Sequence, residues 1–149
     1  MKVVIGSDHA GFKYKTVIAN LLLENGYEVI DKGTFTDQPS DYPDHAADVA
    51  LALLNNEGDR GILICGSSVG VSIAANKFKG IRAGVCHDTY SAHQSVEHDD
   101  VNILCLGERV LGIELAKEIA LAFLKANFTH EERHVKRLEK IRAIENQEY

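Results

Sequence analysis

The fold is decided by residues 61–70, which read GILICGSSVG. The apolar run from Ile62 to Ile64 is typical of a buried strand, and a Gly/Ser-rich turn follows after Cys65. Residues 71–76 can then begin a helix. A strand–turn–helix unit of this kind directs backbone N–H groups and the positive end of a helix dipole at one point. Such a point can hold an anion, or an oxyanion that forms during a reaction.

Cys65 stands at the lip of this turn and has two interpretations. Nearby N–H dipoles favour a thiolate over a thiol, which would make Cys65 reactive. Alternatively, Cys65 is a buried side chain ahead of an ordinary strand-to-helix turn. The choice between them depends on the rest of the chain. Cys86 and Cys105 lie inside apolar runs and are predicted to be small core residues.

Strand and helix patterns alternate along the whole chain. Apolar runs predict strands at residues 3–5, 27–31, 62–64, 81–86 and 102–107. Helical spacing and stop signals predict helices at about residues 14–25, 43–56, 71–76, 89–97, 112–126 and 131–147. This alternation predicts one α/β domain over residues 1–149, with right-handed crossovers and a parallel sheet covered on both faces. We expect a three-layer αβα, Rossmann-like sandwich with five parallel strands in the order 2-1-3-4-5.

The predicted sheet has a switch in strand order, and two polar loops meet there. In such sheets the ligand binds beyond the carboxyl ends of the strands at the switch, which for this order lies between strands one and three. Asp8-His9 follows strand one, and the turn after Cys65 follows strand three. This agreement is the main structural argument for an active site at that edge.

The composition argues against several classes of function. Hydrophobic residues make up 45% of the chain and charged residues 26%, as is ordinary for a globular protein. The net charge of −6 argues against a general nucleic-acid partner, which prefers a basic face. No apolar run approaches the roughly 18 residues of a membrane span, and the first residues carry no signal-peptide pattern. Three cysteines without CxxC spacing indicate a reduced, cytoplasmic protein.

Common nucleotide and metal motifs do not occur in the sequence. Residues 66–70 lack the Gly-Lys-Ser/Thr ending of a Walker loop, and residues 6–11 do not match GxGxxG. Both loops stay compatible with a small phosphorylated ligand. The seven histidines include no HExxH pattern, and His130 and His134 lie four apart with no obvious third ligand. We therefore expect neither a metal ion nor another cofactor.

The last predicted helix points to a second subunit. Its apolar stripe is narrow and consists of Val135, Leu138, Ile141 and Ile144. A narrow stripe suits a dimer contact, although docking on its own domain is the alternative. Arg133 and Arg137 lie four apart on this helix and could clamp a phosphate, although a solvated surface pair is the common alternative. His98 follows a helix, at the opposite end of the fold from Cys65, so a site that uses both would borrow His98 from a neighbouring subunit.

Six motifs occur in order along the chain. They are residues 6–11 (GSDHAG), 41–44 (DYPD), 61–66 (GILICG), 75–83 (ANKFKGIRA), 102–110 (NILCLGERV) and 133–137 (RHVKR). Together they closely resemble the family of B-type ribose-5-phosphate isomerases, which also holds galactose-6-phosphate isomerase. The resemblance spans nearly the whole chain. It implies metal-independent interconversion of aldose and ketose phosphates by a homodimer with sites at the subunit interface, a tetramer being left open.

The resemblance also implies roles for individual residues. Cys65 is the base that moves a proton between C2 and C1, His98 is the acid that opens the furanose ring, and Asp8 assists it. The enediolate oxygens lie in a backbone cradle of Gly66, Ser67, Ser68, Val69 and Gly70. Ser67 stands where the family more often has Thr, and its hydroxyl can still donate. The phosphate ligands are His9, Arg109, Arg133 and Arg137, while Tyr42 lines the pocket.

Three departures from the family pattern affect the expected substrate. Ser68 replaces a usual Gly, which restricts the turn or narrows the pocket. Asp99 replaces the usual Asn after His98 and brings a carboxylate close to an anionic ligand. Glu131-Glu132 replace Gly-Gly ahead of the Arg-His pair. We expect an isomerase for ribose 5-phosphate and ribulose 5-phosphate. The alternatives are an isomerase for allose or galactose 6-phosphate, or a sugar-phosphate-binding protein without catalysis.

Overall fold

The computed structural model describes residues 1–148, and within this range it contains five strands and six α-helices. The strands are β1 (Lys2–Ser7), β2 (Glu28–Asp31), β3 (Arg60–Cys65), β4 (Ala83–Val85) and β5 (Ile103–Gly107). The helices are α1 (Phe12–Glu24), α2 (Tyr42–Leu54), α3 (Val69–Ala75), α4 (Thr89–Asp99), α5 (Ile113–Lys125) and α6 (Glu132–Glu145). The predicted alternation of strands and helices is confirmed.

The five strands form one parallel sheet in the order β2-β1-β3-β5-β4. The prediction 2-1-3-4-5 was therefore wrong for the last two strands. β5 pairs with β3 on one side and with β4 on the other, so Ile103 is aligned with both Gly61 and Ala83. All five residues of β5 are buried, whereas β4 has three residues and ends at the exposed Val85, which suits a sheet edge. The order 2-1-3 holds, so the switch stays between β1 and β3.

Helices cover both faces of the sheet. Ile62 and Ile64 of β3 pack with residues of α1, α4 and α5 on one face, while Leu63 packs with residues of α2 and α3 on the other. This alternation follows from the two-residue period of a strand, and a strand buried on both faces reads as a continuous apolar run. The three-layer αβα sandwich is therefore confirmed. Each helix in residues 1–148 is too short or too polar to cross a membrane.

The last helix divides its apolar stripe between its own domain and the surface. His134 and Leu138 are buried, and His134 lies against His98 at the end of α4. Ile141 is 40% exposed and Ile144 is 61% exposed. The carboxylate of Glu145 accepts the backbone N–H of Gly80 at 2.8 Å, so the far end of the helix is also held. Docking on its own domain thus uses half of the stripe, and the dimer contact stays a prediction.

Candidate active site

A cavity of about 310 Å³ opens at the carboxyl ends of β1 and β3, at the predicted switch. It is lined by Asp8, His9, Ala10, Tyr42, Cys65, Gly66, Ser67, Gly70, Arg109 and Val110. A carboxylate, an imidazole, a thiol and a guanidinium thus border one space. Eight of these residues are among those predicted from the sequence.

The Asp8 carboxylate is fixed by the short 3-10 turn that follows it, His9–Gly11. Oδ1 of Asp8 accepts the N–H groups of Ala10 at 3.0 Å and Gly11 at 3.2 Å, and the residue is 7% exposed. The ring of His9 is held by Ser40, whose backbone N–H lies 3.2 Å from Nδ1. A Cβ on Gly11 would lie 2.5 Å from the carbonyl oxygen of Ile64. The glycine therefore lets this loop approach β3 closely enough to share the cavity with Cys65.

The turn after β3 aims a backbone donor at the Cys65 sulfur. The Ser68 N–H lies 3.1 Å from Sγ of Cys65, and Val69 N–H donates to Oγ of Ser67 at 3.4 Å. Ser68 has φ 71° and ψ −21°, a left-handed conformation that favours glycine. Its side chain is fully buried and donates to the carbonyl of Ser67. The turn therefore presents a backbone donor to the Cys65 sulfur, and the assignment of Cys65 as a base stays a prediction.

The turn is braced by the loop after β5. The N–H groups of Glu108 and Arg109 donate to the carbonyls of Cys65 and Gly66 at 2.9 and 3.0 Å. A Cβ on Gly107 would lie 2.9 Å from the carbonyl carbon of Ser67, so the close approach of the two loops requires glycine there. The side chain of Glu108 reaches further and accepts the Tyr14 N–H at 3.1 Å. Glu108 was not predicted as a site residue, although it stands beside Arg109 in one of the six motifs.

Two side chains close over the glycines of the turn. A Cβ on Gly66 would lie 3.3 Å from Nη1 of Arg109, and a Cβ on Gly70 would lie 2.8 Å from the Tyr42 ring. Arg109 thus places its positive charge over the start of the turn. The ring of Tyr42 forms the opposite wall. Both residues reach the cavity because the turn carries no side chain at these two positions.

Of the three thiols in the chain, Cys65 is the one that borders the cavity. Burial raises the pKa of the Cys86 thiol, and complete burial raises the pKa of the Cys105 thiol far above its usual range. Both side chains lie in the core and are 2% and 0% exposed. Their packing agrees with the prediction that they are small core residues. Neither can reach a ligand in the cavity.

Apart from Ser68 and Val69, which lie in the turn after β3, the remaining predicted site residues lie at the other edge of the sheet. Nε of Arg82, just ahead of β4, donates to the carbonyl of Asp99 at 3.2 Å, so the end of α4 is at the amino ends of the strands. Asp99 lines a second cavity of about 340 Å³ together with Ile141 and Ile144. Arg133 and Arg137 are exposed on α6. Within one chain, therefore, none of His98, Asp99, Arg133 and Arg137 lines the Cys65 cavity.

One of the two predicted phosphate ligands on α6 already contacts a carboxylate. Oε2 of Glu131 accepts a hydrogen bond from Nε of Arg133 at 2.8 Å, and this contact lowers the pKa of the Glu131 carboxyl. The pair is exposed to solvent. A phosphate that binds Arg133 would have to compete with this carboxylate. Residues 1–148 hold no cluster of three His, Cys, Asp or Glu side chains that could bind a metal ion.

Two side chains that contact His98 were not predicted from the sequence. The ring of His134 lies against that of His98 with centroids 4.1 Å apart, and Nε2 of Gln94 is 2.8 Å from Nδ1 of His98. The contact of Gln94 could have been predicted, because Gln94 stands four residues before His98 on the same helix and such side chains are neighbours. The contact of His134 could not have been predicted from spacing, since it joins two helices that are far apart in the sequence. Only its place in the last motif drew attention to His134.

A doubly wound α/β fold whose switch-point cavity is bordered by a thiol, a carboxylate and a guanidinium is typical of enzymes that act on small anionic substrates. The chain belongs to the ribose/galactose isomerase family, whose model matches residues 3–141. Ribose-5-phosphate isomerase B of Escherichia coli (strain K12) is 54% identical over 144 residues, 97% of this chain and 96% of that protein. The resemblance inferred from the six motifs is confirmed.

Solved structures agree with this assignment. Ribose-5-phosphate isomerase B of Clostridium thermocellum has a TM-score of 0.97 and 52% sequence identity, with 100% of both chains covered. Ribose-5-phosphate isomerase B of Mycoplasma genitalium, solved with bound ribulose-5-phosphate, has a TM-score of 0.90 and 39% identity, covering 98% of this chain and 97% of that one. The present chain is a sugar phosphate isomerase of the aldose–ketose type.

Proposed function

We propose that this isomerase interconverts ribose 5-phosphate and ribulose 5-phosphate, without a metal, through an enediolate for which Cys65 is the base. The observation that carries the proposal is the contact between Sγ of Cys65 and the Ser68 N–H at 3.1 Å, beside a cavity of about 310 Å³. The similarity to ribose-5-phosphate isomerases B of Escherichia coli and Clostridium thermocellum supports the choice of a five-carbon substrate.

The chemistry needs a base and a set of fixed donors. A proton on the carbon beside a carbonyl is removed by a base positioned within reach of it. In the proposed reaction the Cys65 thiolate takes the proton from C2 of the aldose and returns it to C1, while the proton of the C2 hydroxyl passes to the oxygen of C1, which gives the ketose. Negative charge develops on the oxygens of C1 and C2 in between. Backbone N–H groups of residues 66–70 and the Ser67 hydroxyl are the proposed donors to these oxygens, and fixed donors of this kind are effective because they need no rearrangement.

The phosphate is proposed to bind between arginine and histidine side chains. His9 and Arg109 line the Cys65 cavity, and guanidinium groups match the geometry of phosphate oxygens. Arg133 and Arg137 are proposed to join them from a second copy of the chain, because their own copy holds them at the other edge of the sheet. Tyr42 is proposed as the wall against which the sugar lies.

Ring opening is proposed to use the second copy as well. His98 is the proposed acid for the ring oxygen, and Asp8 in the Cys65 cavity is the proposed base for the hydroxyl on C1. Asp99 follows His98 and would approach the same sugar. The proposal therefore requires a homodimer in which each site combines the carboxyl edge of one sheet with α4 and α6 of the other copy.

Removal of the thiol tests the proposed base. Cys65→Ala is expected to lower kcat by at least about 100-fold, because general-base catalysis contributes factors of this size, while binding of a phosphosugar is retained. The matched control is Cys105→Ala, which removes a buried thiol outside the cavity and should keep kcat near that of the unmodified enzyme. NMR in deuterated water with EDTA present measures both conversion and deuterium uptake at C2.

The same assay separates the possible substrates. Ribose 5-phosphate, allose 6-phosphate and galactose 6-phosphate are offered one at a time. Conversion of ribose 5-phosphate is the expected result. Conversion of a hexose phosphate alone would contradict the five-carbon assignment, and normal turnover by Cys65→Ala would contradict the assignment of the base.

A further inference from the structure

Two histidine rings are packed together where α4 meets α6. The centroids of His98 and His134 are 4.1 Å apart, and their planes are inclined by 34°. His134 is 1% exposed, whereas His98 is half-buried. Among residues 1–148, neither ring nitrogen of His134 has a hydrogen-bond partner. The nearest carboxylate oxygen, Oε2 of Glu131, is 3.9 Å from Nε2, which is too long for a hydrogen bond.

This burial is unfavourable for the stability of the fold. A buried polar group without a hydrogen-bond partner costs about 1–3 kcal/mol, whereas an apolar ring would fill the same space without that cost. His134 therefore contributes to this contact through the flat face of its ring and not through its nitrogens. The contact that distinguishes His134 from an ordinary core residue is its stack on His98.

Two contacts together fix the ring of His98. Gln94 lies one turn earlier on α4, and its Nε2 is 2.8 Å from Nδ1 of His98. His134 covers one face of the same ring. Rotation of the His98 ring would break the hydrogen bond, and displacement toward α6 is blocked by the stack. Nε2 of His98 is thus the nitrogen left for an incoming group.

We propose that His134 is a positioning residue for ring opening, holding the imidazole of His98 so that Nε2 can deliver a proton to the furanose. This inference rests on the proposed function, in which His98 is the acid. In the step, the proton on Nε2 moves to the ring oxygen as the bond between that oxygen and C1 breaks. The proton of the C1 hydroxyl passes to the Asp8 carboxylate, and C1 becomes the aldehyde carbon.

The two substrates separate this role from a structural one. Ribose 5-phosphate is a furanose and must open before its C2 proton can be removed. Ribulose 5-phosphate stays open-chain, because the C5 oxygen that would close a ring onto C2 carries the phosphate. Exchange of its C1 proton with deuterated water therefore needs the base but not the acid. A variant impaired only in ring opening loses turnover of the furanose and keeps this exchange.

The test compares His134→Ala, which removes the stacked ring, with His134→Phe, which restores a flat ring without nitrogens. His134→Ala is expected to lower kcat for ribose 5-phosphate by about 10-fold or more, since misplacement of a catalytic group by an ångström costs up to 100-fold. Exchange at C1 of ribulose 5-phosphate should stay within about two-fold, and His134→Phe should recover most of the lost kcat. The control is His93→Ala on α4, the helix that carries His98. His93 contacts Glu97 and Tyr90 and not His98, so this variant should keep both the turnover and the exchange.

Equal losses of turnover and exchange in His134→Ala would overturn the inference in favour of a structural role. Failure of His134→Phe to recover kcat, or normal kcat in His134→Ala, would also overturn it. If His134→Ala does not fold, His134→Leu keeps an apolar side chain at this position without a flat ring and should show the same selective loss. Gln94→Ala removes the other contact of His98 and should show this loss as well. Absence of C1 exchange in the unmodified enzyme, or normal turnover by His98→Ala, would contradict the proposed function itself.

Discussion

Ser68 combines an unfavourable backbone conformation with a contact to the candidate base. Its φ of 71° lies in the left-handed region, where a Cβ is disfavoured, and its side chain is fully buried. The same conformation points the Ser68 N–H at Sγ of Cys65. The contact to sulfur is made by the backbone, so glycine can make it as well as serine. The departure from the family's usual Gly therefore affects stability more than the geometry of the donor.

Two substitutions at Ser68 measure this backbone cost. Ser68→Gly is expected to be more stable than Ser68→Ala by about 1–2 kcal/mol, because both lose the hydroxyl and only alanine keeps a Cβ at positive φ. Urea unfolding of the two variants gives the difference directly. Ser68→Gly should also keep most of the kcat, since its N–H still faces Cys65. Equal stabilities would show that the turn relaxes out of the left-handed conformation.

At the scale of elements, α4 begins at a side-chain cap and carries His98 in its last turn. The cap therefore bears on the position of His98. Oδ1 of Asp88 accepts the Ser91 N–H at 2.7 Å, and Oδ2 accepts the Ser91 hydroxyl at 2.9 Å. These bonds satisfy a backbone donor that the first turn of a helix leaves free. They also lower the pKa of the Asp88 carboxyl below its ordinary value of 3.8. The ionised carboxylate thus stabilises the folded state more than the protonated acid does.

The sign of the pH dependence at Asp88 follows from that lowered pKa. The stabilisation by the carboxylate is complete above pH 3.8 and is lost as the pH falls from there through the lower folded-state value. Asp88→Ala should therefore lower Tm at about pH 6 and have a smaller effect at about pH 3. Asp88→Asn keeps a side-chain acceptor and should lose less at about pH 6. A Tm deficit of Asp88→Ala that is the same at both pH values would contradict the cap.

The limits of prediction from sequence are also visible at this scale. The apolar run in β3 predicted a strand buried on both faces, and the rule for the switch point then brought Asp8 and Cys65 to one edge. The exchange of β4 and β5 was missed, because periodicity reports the burial of a strand but not its neighbour. Spacing left Arg133 equally compatible with an exposed surface pair, and the position of His98 favoured a shared site only if the site used it, so both expected roles came from the resemblance. No local pattern in one chain indicates which residues of two copies meet.

For the whole molecule, the two edges of the sheet carry complementary halves of the proposed site. The carboxyl edge holds Cys65 and Asp8, and the amino edge holds His98. α6 extends the second half and leaves Ile141 and Ile144 exposed beside a cavity of about 340 Å³. A homodimer with a two-fold axis would bring the carboxyl edge of each copy against the amino edge of the other, and the symmetry would repeat this contact at two equivalent places. Two identical shared sites are expected from this arrangement.

Mixed dimers test whether the site is shared. Cys65→Ala and His98→Ala homodimers should each be nearly inactive, since every site lacks one group. In a mixed dimer one site lacks both groups and the other has both intact. An equimolar mixture after subunit exchange should therefore recover about one quarter of the unmodified activity, because half of the dimers are mixed and each has one working site.

The control pairs Cys65→Ala with Asp8→Ala, two changes in the same cavity of one copy. Each site of that mixed dimer lacks either the thiol or the carboxylate, so no activity should return. Native mass spectrometry of the mixtures shows whether subunits have exchanged. Recovery in the first mixture and not in the second requires that Cys65 and His98 act from different copies, while Cys65 and Asp8 act from the same one. Exchange without recovery in either mixture would place the acid within the Cys65 copy and exclude the shared site.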